Sequence, residues 1–293
     1  MKSYFIFLNK PIGLTSQQCI SRYKKQNNLK KAGHHGTLDP FASGLLLVGV
    51  NEATKYFSYV EDTKKMYEAE ICLGIKTDTL DHTGAVLEEL PVPEFSEEHI
   101  KEILKSFMGK STQKPPMYSA VKKEGKKLYE LARQGLVVER KERNIEVFQS
   151  DFLSLKNNLL RVQFSVSRGT YIRVLAEDVS EALKTCGHLS FLERQDLCGH
   201  DLNDVDRMIP ISEMLAGFSK IVLDEAQARD ILNGKKVCFL PDYSQKIDAT
   251  TSKDEKMSGK IQQVFYGNNF LGLGRLEGAC IVAHRMMNSS DIL

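Results

Sequence analysis

Strand-like and helix-like patterns follow one another along this 293-residue chain without a regular strand–helix alternation. Residues 66–75 and 160–166 alternate apolar and polar positions as half-buried strands do, whereas the apolar residues of 96–107 and 170–183 recur at helical spacing, with Ser96 and Thr170 as the expected caps. A short helix over 16–26 is expected to open at Thr15 or Ser16, and the apolar run 45–50 predicts a further strand. A repeating strand–helix–strand unit would predict a parallel, doubly wound sheet, and this chain shows no such repeat. The order of elements therefore predicts an α+β fold.

The last quarter of the chain differs in character from the rest. A short helix is expected at 224–233, residues 241–260 are polar and loop-like, and residues 261–284 predict short glycine-rich strands. We therefore predict two domains, a larger one over residues 1–218 and a small β-rich one over residues 219–293.

Composition narrows the class of protein. With 42% hydrophobic and 27% charged residues, the chain fits a soluble globular protein. No window approaches the length of a membrane span, and the apolar run of residues 4–8 is too short for a signal peptide and predicts a strand. The six cysteines lack the close spacing of a disulfide framework, so we expect free thiols and a reducing, cytoplasmic location.

The net charge of +2 hides two basic stretches. Residues 1–38 hold seven Lys or Arg and no Asp or Glu, and residues 105–143 hold eleven Lys or Arg against four acids. Such stretches are often only solvated helix faces, but two of them on a near-neutral chain also fit a surface that binds a polyanion. The candidates for contacts with the phosphates of such a polyanion are Lys10, Lys122, Lys126, Lys127 and Arg133.

The first carboxylate of the chain is Asp39, in the glycine-containing run 33–44. An Asp-Pro pair often only starts a turn, but a carboxylate beside a cationic segment is also free to act on a polyanion. Arg173 lies one residue off the apolar stripe of its helix, where it can pair with Glu177 or reach Asp39 and keep that acid ionised. Tyr67 fits either the core or the border of a cleft, where it could stack on a base.

Two further groups of residues have the chemistry of metal ligands. Asp78 and Asp81 also suit a strand-ending turn, which is the interpretation we favour. Four residues in two Cys-x-His pairs lack the spacing of known zinc sites: Cys186, His188, Cys198 and His200. We therefore predict no metal site.

Several blocks occur together in an order that resembles the bacterial TruB-type tRNA pseudouridine-55 synthases. The blocks are 9–16, 33–44, Tyr67 with 77–79, 115–122 with Gly125 and 129–133, and 169–173. The resemblance covers about residues 9–194. One block alone would not be specific, whereas the set in this order is.

The resemblance implies a pseudouridine synthase catalytic domain with a central mixed, mainly antiparallel sheet flanked by helices. It further implies an RNA-clamping insertion at about 110–143 and a PUA-like C-terminal RNA-binding domain. The implied activity is isomerisation of uridine 55 in the T-loop of tRNA, on a flipped-out base, without metal or cofactor. The implied partner is the T-arm stem-loop, and we expect a monomer that needs no guide RNA and no membrane.

Carried over residue by residue, the resemblance implies that Asp39 is the catalytic carboxylate and that Arg173 pairs with it. Tyr67 would stack against the target base, and His34 would fill the space that this base leaves in the RNA loop. Tyr171 and Leu192 would line the pocket. After Leu192 the chain departs from the family's pair of arginines, because Glu193 precedes Arg194 here.

The sequence leaves alternative functions and alternative chemical routes open. The chain could be a non-catalytic RNA-binding or RNA-folding module, although binding alone does not need Asp39, Tyr67 and Arg173 together. It could also be a guide-dependent synthase of the dyskerin type, which the Lys-rich insertion and the lack of basic terminal extensions disfavour. Attack by Asp39 at C1′, attack at C6 and proton removal from C2′ are equally compatible with the residues.

Overall fold

The structure is a computed structural model that describes residues 2–61, 64–119, 122–123, 125–132, 134–136, 138–239 and 259–288. The predicted polar loop at 241–260 lies almost wholly outside these residues. In the described parts the strands are β1 (Tyr4–Lys10), β2 (Ala32–His35), β3 (Ser43–Val50), β4 (Lys64–Leu73), β5 (Ile75–Thr77), β6 (Val86–Glu89), β7 (Gly109–Gln113), β8 (Lys122–Lys123), β9 (Lys126–Lys127), β10 (Arg143–Lys156), β11 (Leu159–Ser167), β12 (Gly187–Leu197), β13 (His200–Asp201), β14 (Met208–Pro210), β15 (Lys220–Leu223), β16 (Val237–Cys238), β17 (Ile261–Tyr266), β18 (Asn269–Glu277) and β19 (Cys280–Met286).

The helices flank these strands. They are α1 (Ser16–Gln26), α2 (Glu97–Ser106), α3 (Leu128–Ala132), α4 (Ile172–Ala182), α5 (Ile211–Met214) and α6 (Glu225–Leu232), with 3-10 helices at Asn51–Tyr59 and Leu202–Asp204. Thr15 caps α1 in a capping box, and Ser96 caps α2, as their positions predicted. The expected cap at Thr170 is wrong, because α4 begins after Tyr171 without a side-chain cap.

Within the described residues, the main sheet has ten strands in the order β14-β1-β3-β12-β4-β11-β10-β7, with β2 added to β3 and β13 to β12. Strands β3 and β12 run parallel, and the other pairs in this sheet are antiparallel. The expected mixed, mainly antiparallel sheet and the α+β class are confirmed. Strand β7 opens the predicted insertion but is itself an edge strand of this sheet.

Strand β3 is an interior strand between β1 and β12, and its run of apolar residues is buried on both faces. Successive side chains of a strand point to opposite faces. Leu46 therefore packs with Ile20 of α1, while Leu45 packs with Tyr56 of the 3-10 helix. Helices α2 and α4 cover another part of the sheet and form a core with β4 and β11. The sheet thus supports a rigid loop immediately before β3.

A second sheet contains only residues from Lys220 onwards, in the order β15-β17-β18-β19-β16. Cys238 and Cys280 occupy paired positions on β16 and β19 and form a disulfide, so the expectation of free thiols alone is wrong for this pair. Tyr56 donates a hydrogen bond from its hydroxyl to the carbonyl of Arg285 (3.0 Å), which ties the two sheets together. No helix in the described ranges is long and apolar enough to cross a membrane.

Candidate active site

Asp39 lies in the loop between β2 and β3, and buried side chains hold the backbone on both sides of it. The Ser16 hydroxyl donates to the carbonyl of Leu38 (3.1 Å) and accepts from its N–H (3.0 Å). The ammonium of Lys10 donates to the carbonyl of Pro40 (3.3 Å). Because the neighbouring peptide groups are bonded to the core of the sheet, the Asp39 backbone has little freedom to move.

Arg173, in the first turn of α4, forms the expected ion pair with Asp39. Its Nε lies 2.9 Å from Oδ2 of Asp39, and its side chain is 3% exposed against 36% for the carboxylate. The alternative pair with Glu177 is absent, because Glu177 instead bonds the ammonium of Lys76 at 2.6 Å. The pair therefore joins a buried cation to an acid that solvent, and hence a substrate, can reach.

Three other groups fix the guanidinium of Arg173. Its Nη1 donates to the carbonyl of Thr79 and its Nη2 to the carbonyl of Tyr118, both at 2.8 Å. Oδ2 of the buried Asp81 lies 3.6 Å from Nη1. Asp81 does open a turn, as a strand-ending turn would require, since its Oδ1 accepts from the N–H of Thr83 (3.0 Å). The same turn also brings a second carboxylate to the arginine, which the sequence did not indicate.

The pKa of Asp39 is shifted by opposing effects. Burial raises the pKa of this carboxyl, the Arg173 guanidinium lowers it, and the Asp81 carboxylate raises it again. The net shift is upward, which is opposite to the shift expected from an arginine neighbour alone. Arg173 thus limits the loss of the ionised form of Asp39 in this partly desolvated position.

Tyr67 and Leu192 pack in the core on which the Asp39 loop rests. Both side chains are buried, in one cluster with Leu38 and Phe41, which stand on either side of the Asp39–Pro40 pair. The structure thus brings these two residues to the base of the loop. A stacking role for Tyr67 stays a prediction, since a core tyrosine would have the same burial.

Tyr171 is held at the start of α4 by Gln113, the last residue of β7. The amide of Gln113 donates to the Tyr171 carbonyl (3.1 Å) and accepts from the Tyr171 N–H (2.8 Å). Gln113 is buried, so the edge strand β7 and the helix bearing Arg173 are locked together. No pattern in the sequence pointed to Gln113.

His34 is a half-buried residue of β2, the strand that precedes the Asp39 loop and pairs with β3. Its Nδ1 is buried and has no hydrogen-bond partner among the described residues. Burial and the neighbouring charge of Arg194 lower the pKa of this imidazole, so His34 is neutral at pH 7.

The predicted RNA-contacting lysines and arginine fall into two groups. Lys10 has no exposed surface, and its ammonium donates to the carbonyls of Pro11, Leu14 and Pro40. Lys10 therefore supports the loop, and, being fully buried, it offers no surface to an RNA phosphate. The side chains of Lys122, Lys126 and Lys127, and all of Arg133, lie outside the described residues, although the three lysines contribute backbone to the hairpin β8–β9.

The two Cys-x-His pairs do not converge. His188 bonds the carbonyl of Ile75 through Nδ1 (2.7 Å), and His200 bonds Asp204 (2.9 Å). Across the described ranges, no group of three or more His, Cys, Asp or Glu side chains is arranged to hold a metal ion.

The sequence matches the model of one known protein family. Residues 24–172, about half of its length, match the family described as TruB family pseudouridylate synthase (N terminal domain). This chain belongs to the TruB family of pseudouridylate synthases. The resemblance found in the sequence motifs is thereby confirmed.

Individual TruB relatives match over nearly the whole chain. The tRNA pseudouridine synthase B of Marinomonas sp. (strain MWYL1) is 36% identical over 98% of this chain and 95% of its own length. The tRNA pseudouridine synthase B of Alkaliphilus oremlandii is 39% identical and covers 90% of both chains. The similarity therefore includes the region of the second sheet.

The fold is also similar to that of solved proteins with more distant sequences. A chain of a Cbf5–Nop10–Gar1 complex superposes with a TM-score of 0.67 at 22% identity, over 98% of this chain and 86% of its own. A chain of an H/ACA RNP bound to a substrate RNA gives a TM-score of 0.66 at 18% identity, with the same coverage. At these identities the likeness shows the fold, which agrees with the TruB assignment.

Proposed function

We propose that this chain isomerises uridine 55 in the T-loop of tRNA to pseudouridine, with Asp39 as its catalytic carboxylate. The observation that carries the proposal is the ion pair between Asp39 and Arg173 in a member of the TruB family. A carboxylate that is partly exposed, held on a rigid loop and paired with a buried arginine has the position that a catalytic acid needs. An aspartate that only starts a turn needs neither a buried arginine partner nor a fixed position at the protein surface.

The reaction conserves every atom of the nucleoside. The N1–C1′ bond breaks, C5 bonds to C1′, the proton of C5 is lost, and N1 gains a proton. The ionised form of Asp39 suits attack at C1′, attack at C6 and removal of the C2′ proton alike. In each case Arg173 contributes by favouring that ionised form.

The substrate must present its uridine outside the folded loop. Extruding a base costs a few kcal/mol. We propose that Tyr67 stacks on the extruded uracil, which offsets about 1–3 kcal/mol, and that neutral His34 occupies the vacated position. Tyr171 and Leu192 then line the pocket around the ring.

The basic stretches supply the attraction for RNA. Arg22, Lys25 and Lys30 are exposed, lie in the acid-free segment before Asp39, and form no ion pair among the described residues. We propose that this segment and the lysines of residues 110–143 bind phosphates of the T-arm. Affinity should then fall as salt rises, because bound phosphates release counterions.

We further propose that the protein acts alone on tRNA, as a cytoplasmic monomer, without a guide RNA. The relatives at 36–39% identity over most of the chain are named tRNA pseudouridine synthase B, whereas the Cbf5 likeness is one of fold. Sedimentation of the purified chain tests the monomer. Activity of that chain on bare tRNA tests the absence of a guide.

The decisive experiment incubates the purified protein with an unmodified tRNA transcript and maps pseudouridine at nucleotide resolution. Wild type and the control Glu94→Gln, an exposed carboxylate away from the loop, should modify one T-loop position. Asp39→Asn should bind the transcript with a Kd within about twofold of wild type and form no product. Product formation by Asp39→Asn would remove Asp39 from its role and favour the RNA-binding alternative.

A further inference from the structure

Arg194, on β12, is a fully buried arginine beside the Asp39 loop. Its side chain is 0% exposed, and in the described part of the chain no carboxylate lies within ion-pair distance of it. Its Nη1 is buried and has no hydrogen-bond partner there. Burying a guanidinium without a counter-charge is unfavourable, and an apolar side chain of similar size would fill the same space at a lower cost.

The contacts of Arg194 indicate what this unfavourable burial achieves. Its Nε donates to the carbonyl of Leu45 (2.7 Å), and its Nη2 donates to the carbonyl of Gly36 (2.9 Å). One of these carbonyls precedes Asp39 in the chain and the other follows it. A single planar guanidinium therefore joins both ends of the segment that bears the carboxylate.

The backbone of Arg194 holds the same segment. Arg194 pairs with Gly44 where β3 and β12 run parallel. A Cβ added to Gly44 would lie 2.3 Å from the carbonyl oxygen of Arg194, so the backbones of β3 and β12 are in close contact here. On its other side, Arg194 pairs with Tyr67 of β4. This position on β12 is thus the point at which the loop and the strand carrying Tyr67 meet.

We propose that Arg194 is a positioning residue for the proposed reaction: it fixes the ends of the 36–45 loop and so sets where Asp39 stands relative to Arg173. The inference rests on the proposed function. Arg194 touches neither substrate nor the reacting carboxylate, since its side chain is enclosed by protein. Its effect on the rate is geometric, and a displacement of a reacting group by about 1 Å can slow catalysis by on the order of 100-fold.

The test separates positioning from ordinary stabilisation. Arg194→Met and Arg194→Lys are compared with Gln263→Met, a matched control in the second sheet. Gln263 is also 0% exposed, and its amide donates to the carbonyls of Leu215 (2.8 Å) and Phe218 (3.2 Å). The measured quantity is the single-turnover rate per folded molecule on saturating unmodified tRNA, alongside RNA affinity and the unfolding midpoint.

We expect Arg194→Met to turn over about 10- to 100-fold more slowly than wild type with an RNA Kd within about twofold. Arg194→Lys keeps the charge but presents a single donor atom, so its single-turnover rate should lie between those of wild type and Arg194→Met. Gln263→Met should unfold earlier but keep the wild-type rate per folded molecule.

Equal rates per folded molecule for wild type, Arg194→Lys and Gln263→Met would overturn the positioning role, even if Arg194→Met does not fold. Inactivity of wild type itself would instead refute the proposed function, so the two failures are distinguishable.

Discussion

Replacement of Arg173 by methionine tests the electrostatic core of the site. The side chain of Arg173 is buried and bonds Asp39, Thr79 and Tyr118, with Asp81 close by. Methionine fills much of the same volume but makes none of these bonds. Asp39 and Asp81 then lose the guanidinium that lies close to both of them, and two carbonyls lose a donor.

The expected cost follows from the exposure of the partners. Breaking a fully buried ion pair costs about 3–5 kcal/mol. The Asp39 side chain is 36% exposed, so water replaces part of the lost interaction, and we expect unfolding free energy to fall by about 2–4 kcal/mol. This deficit should shrink as the pH falls, because protonated carboxyls no longer repel each other.

The pH–rate profile gives the second readout. Burial already raises the pKa of Asp39, and Arg173 lowers it, so the variant's pKa lies higher still. If the ionised acid is required, the acidic limb of the single-turnover rate begins above the ordinary range of aspartate in wild type and moves to higher pH in Arg173→Met.

The matched control is Arg161→Met, which also removes an arginine from two carboxylates. Arg161 bonds Glu70 (3.0 Å) and Glu68 (3.1 Å), but its side chain is 44% exposed. We expect a loss of less than about 1 kcal/mol and an unshifted profile for this control. If urea unfolding and pH–rate measurements cannot distinguish Arg173→Met from Arg161→Met, burial of Arg173 does not strengthen its interaction with Asp39.

Three other changes have defined outcomes. Gln113→Leu leaves the Tyr171 N–H without its acceptor, while the Tyr171 carbonyl keeps the N–H of Leu175 as a donor. The variant should lower the free energy of unfolding by about 1–3 kcal/mol and raise KM for tRNA. Gly44 has φ +102°, so Gly44→Ala places a side chain in a left-handed backbone conformation, which by itself lowers the free energy of unfolding by roughly 1–2 kcal/mol. The loss should be larger here, because the added Cβ would lie 2.3 Å from the carbonyl oxygen of Arg194. Cys280→Ser should lower the stability of the second sheet by about 2–4 kcal/mol and make unfolding insensitive to reductant.

Each of these changes has a control that shares the substitution but not the contact. Gln149→Leu alters an exposed glutamine and should leave stability and KM unchanged. Gly278→Ala introduces a Cβ with no atom within 4 Å at φ +63°, so it should cost only the backbone term of about 1–2 kcal/mol. Cys72→Ser removes a free thiol, and unfolding should stay sensitive to reductant. Agreement between a variant and its control would contradict the corresponding prediction.

Local patterns predicted the elements well where they follow from the chain's own chemistry. The alternation of β4, the caps of α1 and α2 and the apolar run of β3 each determine structure through neighbours in sequence. The predictions failed at the start of α4, where a buried glutamine from a distant strand holds the backbone in place of a local cap. They also failed at the Cys238–Cys280 pair, which only strand pairing brings together.

Motifs and periodicity are local properties, and they were enough to predict the fold class, the family resemblance and the candidates Asp39, Tyr67 and Arg173. That Asp81, Gln113 and Arg194 surround the same site emerged from the folded protein. Their contacts join residues that are far apart in the chain. Taken alone in the sequence, each of the three residues fits an ordinary place in a turn or a strand. Long-range packing also decided the direction of the Asp39 pKa shift, since burial depends on every element folded around the loop.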